Sequence, residues 1–171
     1  INKRGGLMEG TCAPNSLSVK YILDLRDFPG DANADKFTKD FNTILNDDSV
    51  KIVVETMGGI NPAFDFCAAS LKSGKHVVTS NKELVAEKGL ELLSLAKENN
   101  VNFMFEASVG GGIPILRPLS VCLAANEILS VNGILNGTTN FILTKMISDN
   151  MSFETALKIA QDNGYAEKDP T

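Results

Sequence analysis

Short runs of β-branched and apolar residues recur through the first two thirds of the chain, each closed by a polar or glycine-bearing cluster and followed by helical spacing. VKYILDL (19–25), VKIVVETMGG (50–59), KHVVTS (75–80) and VNFMFEA (101–107) have the length and composition of strands. Between them, Phe37, Phe41, Ile44 and Leu45 fall at helical spacing over 36–47. A second helix is predicted from Asn61-Pro62, as N-cap and first helical residue, to Ser73, with Gly74 as its stop. A third covers 82–99, with Leu84, Val85, Leu92, Leu93 and Ala96 on its buried side. Strands alternating with helices in this way specify an α/β fold with a parallel sheet covered on both faces. Ligands of such sheets bind beyond the carboxyl ends of the strands. That rule singles out four exits: Asp24–Arg26, Glu55–Gly59, Thr79–Lys82 and Glu106–Gly112.

The rhythm changes at SVGGGIP (108–114), which marks a boundary. Beyond it the pattern predicts an apolar helix from Ile115 to Ala125 and a strand, EILSVNGIL (127–135). Two helices follow, at about 138–149 and 152–163, the second with Ser152 as N-cap and Gly164 as stop.

Composition removes several function classes. Apolar content of 43% and charged content of 22% describe a globular protein, and a net charge of −5 argues against nucleic-acid binding. No run approaches the roughly 18–20 apolar residues of a membrane span, and no apolar signal core follows the basic Ile1-Asn2-Lys3-Arg4. Cys12, Cys67 and Cys122 are odd in number and widely spaced, which fits reduced cytoplasmic thiols better than a disulfide framework or a zinc site. The lone His76, inside KHVVT, reads as a packed or hydrogen-bonded imidazole.

Four clusters carry candidate chemistry. Lys82, in TSNK after a strand, is either a solvent-facing lysine of a first helical turn or an ammonium aimed into a crevice. A cation is mildly unfavourable at a helix N-terminus, which leans toward function. Glu106 followed by ASVGGGIP is either an interdomain hinge or a carboxylate with backbone carbonyls suited to a hard cation. Asn136-Gly-Thr-Thr-Asn140 reads as a turn in which Thr138 or Thr139 caps the next helix, or as a neutral substrate-binding loop. Glu167, in GYAEKDP, is a turn acid or a ligand for an ammonium or hydroxyl.

One expected element is missing. A dinucleotide-binding sheet opens with strand, G-x-G-x-x-G and helix, but GGLMEG has the wrong spacing and GGG (110–112) lacks the third glycine. Either the protein binds no dinucleotide or the chain begins after its first strand–helix unit. With the abrupt end at GYAEKDPT, the chain reads as an internal fragment.

VVETMGGINPA, GKHVVTSNKELVAEKG, FEASVGGGIPILRPL, GILNGTTNFILTKM and NGYAEKDPT occur in one order at close spacing. Together they resemble homoserine dehydrogenase of the bacterial and archaeal type, over residues 19–171. The resemblance implies a partial Rossmann-like parallel sheet (1–110, lacking its first strand and glycine fingerprint), followed by the start of a second α/β catalytic and dimerisation domain (111–171). It implies NADP- or NAD-linked interconversion of L-aspartate 4-semialdehyde and L-homoserine, toward threonine and methionine, by a cytoplasmic homodimer. By the same resemblance Lys82 lies by the reacting carbon, and Thr56 and Ser80 line the nicotinamide side of the cofactor. Gly137, Thr138, Thr139 and Glu167 face the substrate, and Glu106 with the carbonyls of Val109, Gly111 and Ile113 holds a structural sodium ion. Arg26 could meet the 2′-phosphate of NADP, while Asp24 or Asp27 could equally meet the ribose of NAD.

Against this stands a reading of the chain as a catalytically inactive dimerisation or interaction module, which leaves Lys82, Glu106 and NGTTN unexplained. The family continues beyond DPT into a segment with an aspartate and a further lysine. The isolated 171-residue chain is therefore expected to bind dinucleotide poorly and to show no turnover. Nicotinamide absorbance with L-homoserine checks this, and measurable oxidation by the isolated chain overturns it.

Overall fold

In the computed structural model, which describes residues 17–134 and 136–166, the apolar runs pair as parallel ladders. The chain divides into two units, residues 1–113 and 114–171.

In the first unit, β1 (Ile22–Leu23) pairs with β2 (Phe37–Thr38), setting Ile22 beside Phe37. Phe37 therefore belongs to a strand, and the helix predicted over 36–47 shrinks to α1 (Phe41–Leu45). The reason is local: the Asp40 carboxylate accepts from the Asn42 amide, so the helix starts after it. Phe37 instead stacks on Phe28, with ring centroids 4.8 Å apart.

The main sheet has the order β3 (Ile52–Glu55), β4 (His76–Thr79), β5 (Phe103–Met104), all parallel. Its crossovers are α2 (Ala63–Lys72) and α3 (Lys82–Glu98). Register places Val53, Val77 and Phe103 side by side, and Val54, Val78 and Met104 one residue on. The first row faces the core with Cys67 and Leu71 of α2 and Leu84, Leu92 and Ala96 of α3. Each fully buried leucine there is worth about 1.5–3 kcal/mol of transfer free energy. Leu93, predicted on the buried side, lies on the flank at 40% exposure. The Asn61-Pro62 start also differs: Pro62 is itself the N-cap residue, and no side chain caps the helix. Gly74 stops α2 as predicted, at φ +77, where a side chain would be strained.

Among the described residues of the first unit no element covers the second face of this sheet, contrary to the expectation of cover on both faces. Ile52, Val54 and Met104 are exposed there. Handedness explains it: β3, β4 and β5 follow one another in a single direction, and right-handed crossovers then place both helices on the same side. His76 lies in the open-face row, and its Nδ1 accepts from the Asn102 amide at 2.9 Å, a hydrogen-bonded imidazole as expected.

Lys75, 3% exposed, closes the opposite edge of the sheet by donating to the carbonyls of Asp47 (2.8 Å) and Val50 (3.1 Å). A short helix, α4 (Glu106–Gly110), follows β5.

In the second unit, α5 (Gly137–Ser148) and α6 (Phe153–Asp162) pack as a hairpin around Ile142, Ala156 and Ala160. Small alanines on α6 let the two backbones approach. Ser152 caps α6, its hydroxyl accepting from the Thr155 amide, and Gly164 ends it at φ +73, both as predicted. The helix expected over 115–125 is shorter, helical over 116–122 with a π-helical part at Pro118–Cys122. No strand forms over 127–134, and residue 135 lies outside the described residues. Both segments stay largely exposed: Val121 is 64% exposed and Leu129 87%. An apolar helix or lone strand gains nothing from ordering unless a partner removes it from water.

Of the cysteines, Cys67 is buried and Cys122 exposed, both unpaired, and Cys12 lies outside the described residues. Among the described residues no helix is long and apolar enough to cross a membrane.

Leu71→Ala is expected to cost about 2–5 kcal/mol by the cavity it leaves, whereas Leu90→Ala, at an 84% exposed site on α3, changes stability by less than about 0.5 kcal/mol. Chemical denaturation of both variants checks the assignment of the packed face.

Candidate functional site

Three strand exits of the first unit share one edge of the main sheet. Because β3 and β4 are parallel and end together at the Glu55–Thr79 pair, Thr56 and Ser80 stand one residue beyond the last rung, both exposed. Lys82 follows as the first residue of α3. The structure thus brings Thr56, Ser80 and Lys82 to one edge. Lys82 is exposed, so burial of its ammonium does not position it.

What fixes this edge is a set of buried polar groups absent from the sequence-derived candidates. The Thr79 hydroxyl donates to Glu55 Oε2 and accepts from the Asn81 amide at 2.9 Å. Glu55 Oε1 accepts from the Met57 amide at 2.6 Å. Asn81 Nδ2 donates to the Gly59 carbonyl at 2.6 Å, while its Oδ1 accepts from the Leu84 amide and caps α3. The signal for Asn81 was available, since an Asn directly before a helical pattern is a standard N-cap. No comparable sequence signal marks Glu55, whose partner lies 24 residues away.

At the end of β1, Arg26 lies in a hollow with Asp24, Asp27, Phe28, Phe37 and Lys39. Its guanidinium is forked onto the Asp24 carboxylate (3.1 and 2.8 Å) and sits 5.1 Å over the Phe28 ring. Lys39 pairs with Asp27 at 2.7 Å. Each cation of this hollow therefore already holds a carboxylate, and a phosphate arriving here would compete with Asp24 for Arg26.

Glu106 opens α4 half-buried, and Val109, Gly111 and Ile113 follow on its turn and exit, all exposed. Gly111 takes φ +60 and ψ −114, a conformation reserved for glycine, so the chain reverses here through a fixed geometry. The four residues expected around a cation are thus confined to one helical turn and the bend that follows.

In the second unit the polar cluster 136–140 is the start of α5. The cap is Asn136, whose Oδ1 accepts from the Thr139 amide at 3.0 Å, in place of Thr138 or Thr139. An amide side chain reaches the N3 position from extended backbone, which leaves the threonine hydroxyls for other work. Thr138 donates to the Tyr165 carbonyl at 2.5 Å, and Gly137, Thr138, Phe141 and Tyr165 line an open hollow. Phe141 and Tyr165 meet edge to face at 5.1 Å. Glu167 lies outside the described residues.

The hydrogen bonds from Arg26 hold the Asp24 carboxyl down to about 2, far below its ordinary value. A carboxyl depressed in the folded state adds stability above its unfolded value of about 3.9, and that stability is lost as pH falls through about 2. NMR titration is expected to find the Asp24 midpoint near 2, rising toward about 3.9 in Arg26→Ala. A midpoint unmoved by that substitution contradicts the assignment.

Known proteins place the chain. Residues 11–106 match the family profile described as homoserine dehydrogenase, NAD binding domain, and residues 114–171 match that described as homoserine dehydrogenase. The chain is 48% identical over 166 residues to homoserine dehydrogenase of Bacillus subtilis, covering 96% of this chain and 38% of the relative. A crystal structure of a homoserine dehydrogenase from Thiobacillus denitrificans superposes with a TM-score of 0.76 at 44% identity, covering 82% of this chain and 32% of that one. A hyperthermophilic archaeal homoserine dehydrogenase in complex with NADPH superposes at 0.68 with 34% identity, over 77% and 40% of the two chains. The chain thus spans about two fifths or less of the relatives it matches. The first unit is accordingly a Rossmann-like nucleotide-binding fold, and the chain belongs to the homoserine dehydrogenase family.

Proposed function

We propose that this chain is part of an enzyme that interconverts L-aspartate 4-semialdehyde and L-homoserine with NADP or NAD, at a branch toward threonine and methionine. Residues 1–110 serve nucleotide binding, and residues 111–171 serve substrate binding and dimerisation. The observation that carries the reading is the alignment of Thr56, Ser80 and Lys82 at the carboxyl edge of a parallel sheet, where α/β folds bind their ligands. A relative solved with NADPH supports the cofactor class. Family profiles covering both units favour this enzyme over an inert interaction module.

The nicotinamide cofactor supplies the hydride. Thr56 and Ser80, set side by side by the β3–β4 register, offer hydroxyls to its nicotinamide end. Lys82, cationic and exposed, holds or protonates the alkoxide oxygen formed as the aldehyde carbon is reduced. Gly137, Thr138 and Thr139 orient the amino-acid substrate with neutral groups, and Glu167 contacts its ammonium end. Arg26 serves a 2′-phosphate once Asp24 releases it, so the Asp24–Arg26 pair leaves both NADP and NAD in play. Glu106, with the carbonyls of Val109, Gly111 and Ile113, holds a structural sodium ion. Exposed Leu129, Val131, Ile134 and Ile147 of the second unit supply apolar surface for a homodimer contact. The enzyme is cytoplasmic, in keeping with its unpaired Cys67 and Cys122.

The test is turnover of L-homoserine with each cofactor by the longer protein. Lys82→Ala is expected to lower kcat by roughly 100-fold or more with the fold intact. Turnover undiminished in that variant removes Lys82 from the chemistry, and a folded wild-type protein without turnover removes the reading itself.

A further inference from the structure

Glu55 is a carboxylate placed where fold stability alone would favour an apolar residue. It is 4% exposed, on the helix-facing side of the sheet among Val53, Val77 and Cys67. Among the described residues no lysine, arginine or histidine pairs with it. A buried carboxylate without a counter-charge is costly unless hydrogen bonds satisfy both oxygens. Both are satisfied here, and by groups at the exits of two different strands: the Met57 amide after β3 and the Thr79 hydroxyl at the end of β4. The chain of donors continues. Thr79 Oγ1 accepts from the Asn81 amide, and Asn81 returns to the first loop through the Gly59 carbonyl while capping α3. The circuit closes on itself: the 56–59 loop and the 80–82 loop are tied at both ends, with Lys82 on the helix that Asn81 starts. Burial, with the charge of Glu55 beside it, pushes the Cys67 thiol up to about 12, so the group beneath the circuit is inert.

We infer that Glu55 is a positioning residue for the reaction, acting through Thr79 and Asn81 to hold Thr56, Ser80 and Lys82 in one fixed arrangement. The inference rests on the function proposed above and adds to it a residue that touches neither cofactor nor substrate. Its logic is that of a hydrogen-bond network: the donors and acceptors match only one way round. A glutamine at position 55 keeps one acceptor but presents an amide donor to the other partner. Whichever way that amide turns, either the fully buried Thr79 hydroxyl or the Met57 amide loses its acceptor, and the tie between the loops loosens.

The experiment compares wild type, Glu55→Gln, Thr79→Val and Thr79→Ser in the longer enzyme. Glu55→Gln and Thr79→Val are each expected to lower kcat by roughly 10-fold to 100-fold and to raise the KM for the cofactor. Thr79→Ser, which keeps the hydroxyl, stays within about 2-fold of wild type, and the double variant falls no further than the worse single one. Hydrogen exchange in Glu55→Gln is expected to quicken over 56–60 and 80–84 while 63–72 and 92–98 keep their protection. Wild-type kcat and KM in Glu55→Gln overturn the inference. So does a loss of activity that merely follows an even loss of protection through α2 and α3, which is what a purely structural role produces. Should wild type not turn over homoserine, the functional reading falls separately. Fluorescence titration with reduced nicotinamide cofactor then decides: weaker binding in Glu55→Gln with local exchange supports the positioning role, and unchanged binding overturns it.

Discussion

The pairing of β3 with β4 in one parallel register is the constraint on which the first unit depends. It sets Val53 against Val77 and so builds the row that α2 and α3 cover. The same register brings Glu55 opposite Thr79, and therefore Thr56 beside Ser80. A slip of one residue would turn Val53 and Val77 to opposite faces and separate the two loops. Core packing and site geometry are thus one choice. The leucines of α2 and α3 hold the register by burial, and the register delivers the polar residues to the edge where they act.

Much of this was legible in the sequence because the signals were local. Gly74, Gly164 and Ser152 end or begin helices through conformations and hydrogen bonds that involve only a few neighbouring residues. The β-branched runs around Ile52 and Val77 form strands as their composition requires. Errors arose where the outcome depends on something distant. Phe37 fits a helical pattern with Phe41 and Ile44, but a strand partner and Phe28 claim it. The segments 115–125 and 127–134 carry enough apolar residues for a helix and a strand, yet Val121, Leu129, Val131 and Ile134 stay exposed. Propensity with so little burial did not decide their structure.

The site divides in the same way. Lys82 and the 136–140 cluster stand out in sequence because a cation at a helix start and a neutral polar break between apolar runs are locally unusual. Glu55 and Thr79 look like ordinary strand ends until the ladder sets them opposite each other. The cap of α5 shows a subtler failure: Thr138 and Thr139 were the expected caps, but the helix starts earlier, so Asn136 takes the role and frees Thr138 to reach Tyr165. Electrostatics adds one further lesson. Arg26 and Lys39 are both matched by neighbouring carboxylates, so counting basic residues at the β1 end overstates the positive charge on offer.

The open face of the main sheet has a practical consequence. Ile52 and Val54 of β3 and Met104 of β5 expose apolar surface on this face, and among the described residues β3 has no partner on its outer edge. Uncovered apolar surface next to an unpaired strand edge is the arrangement by which one sheet recruits another, through backbone hydrogen bonds that any chain can supply. For this segment handled alone, self-association along β3 is the expected route to aggregation. A charged residue at Val54 is expected to oppose it while leaving the packed face untouched.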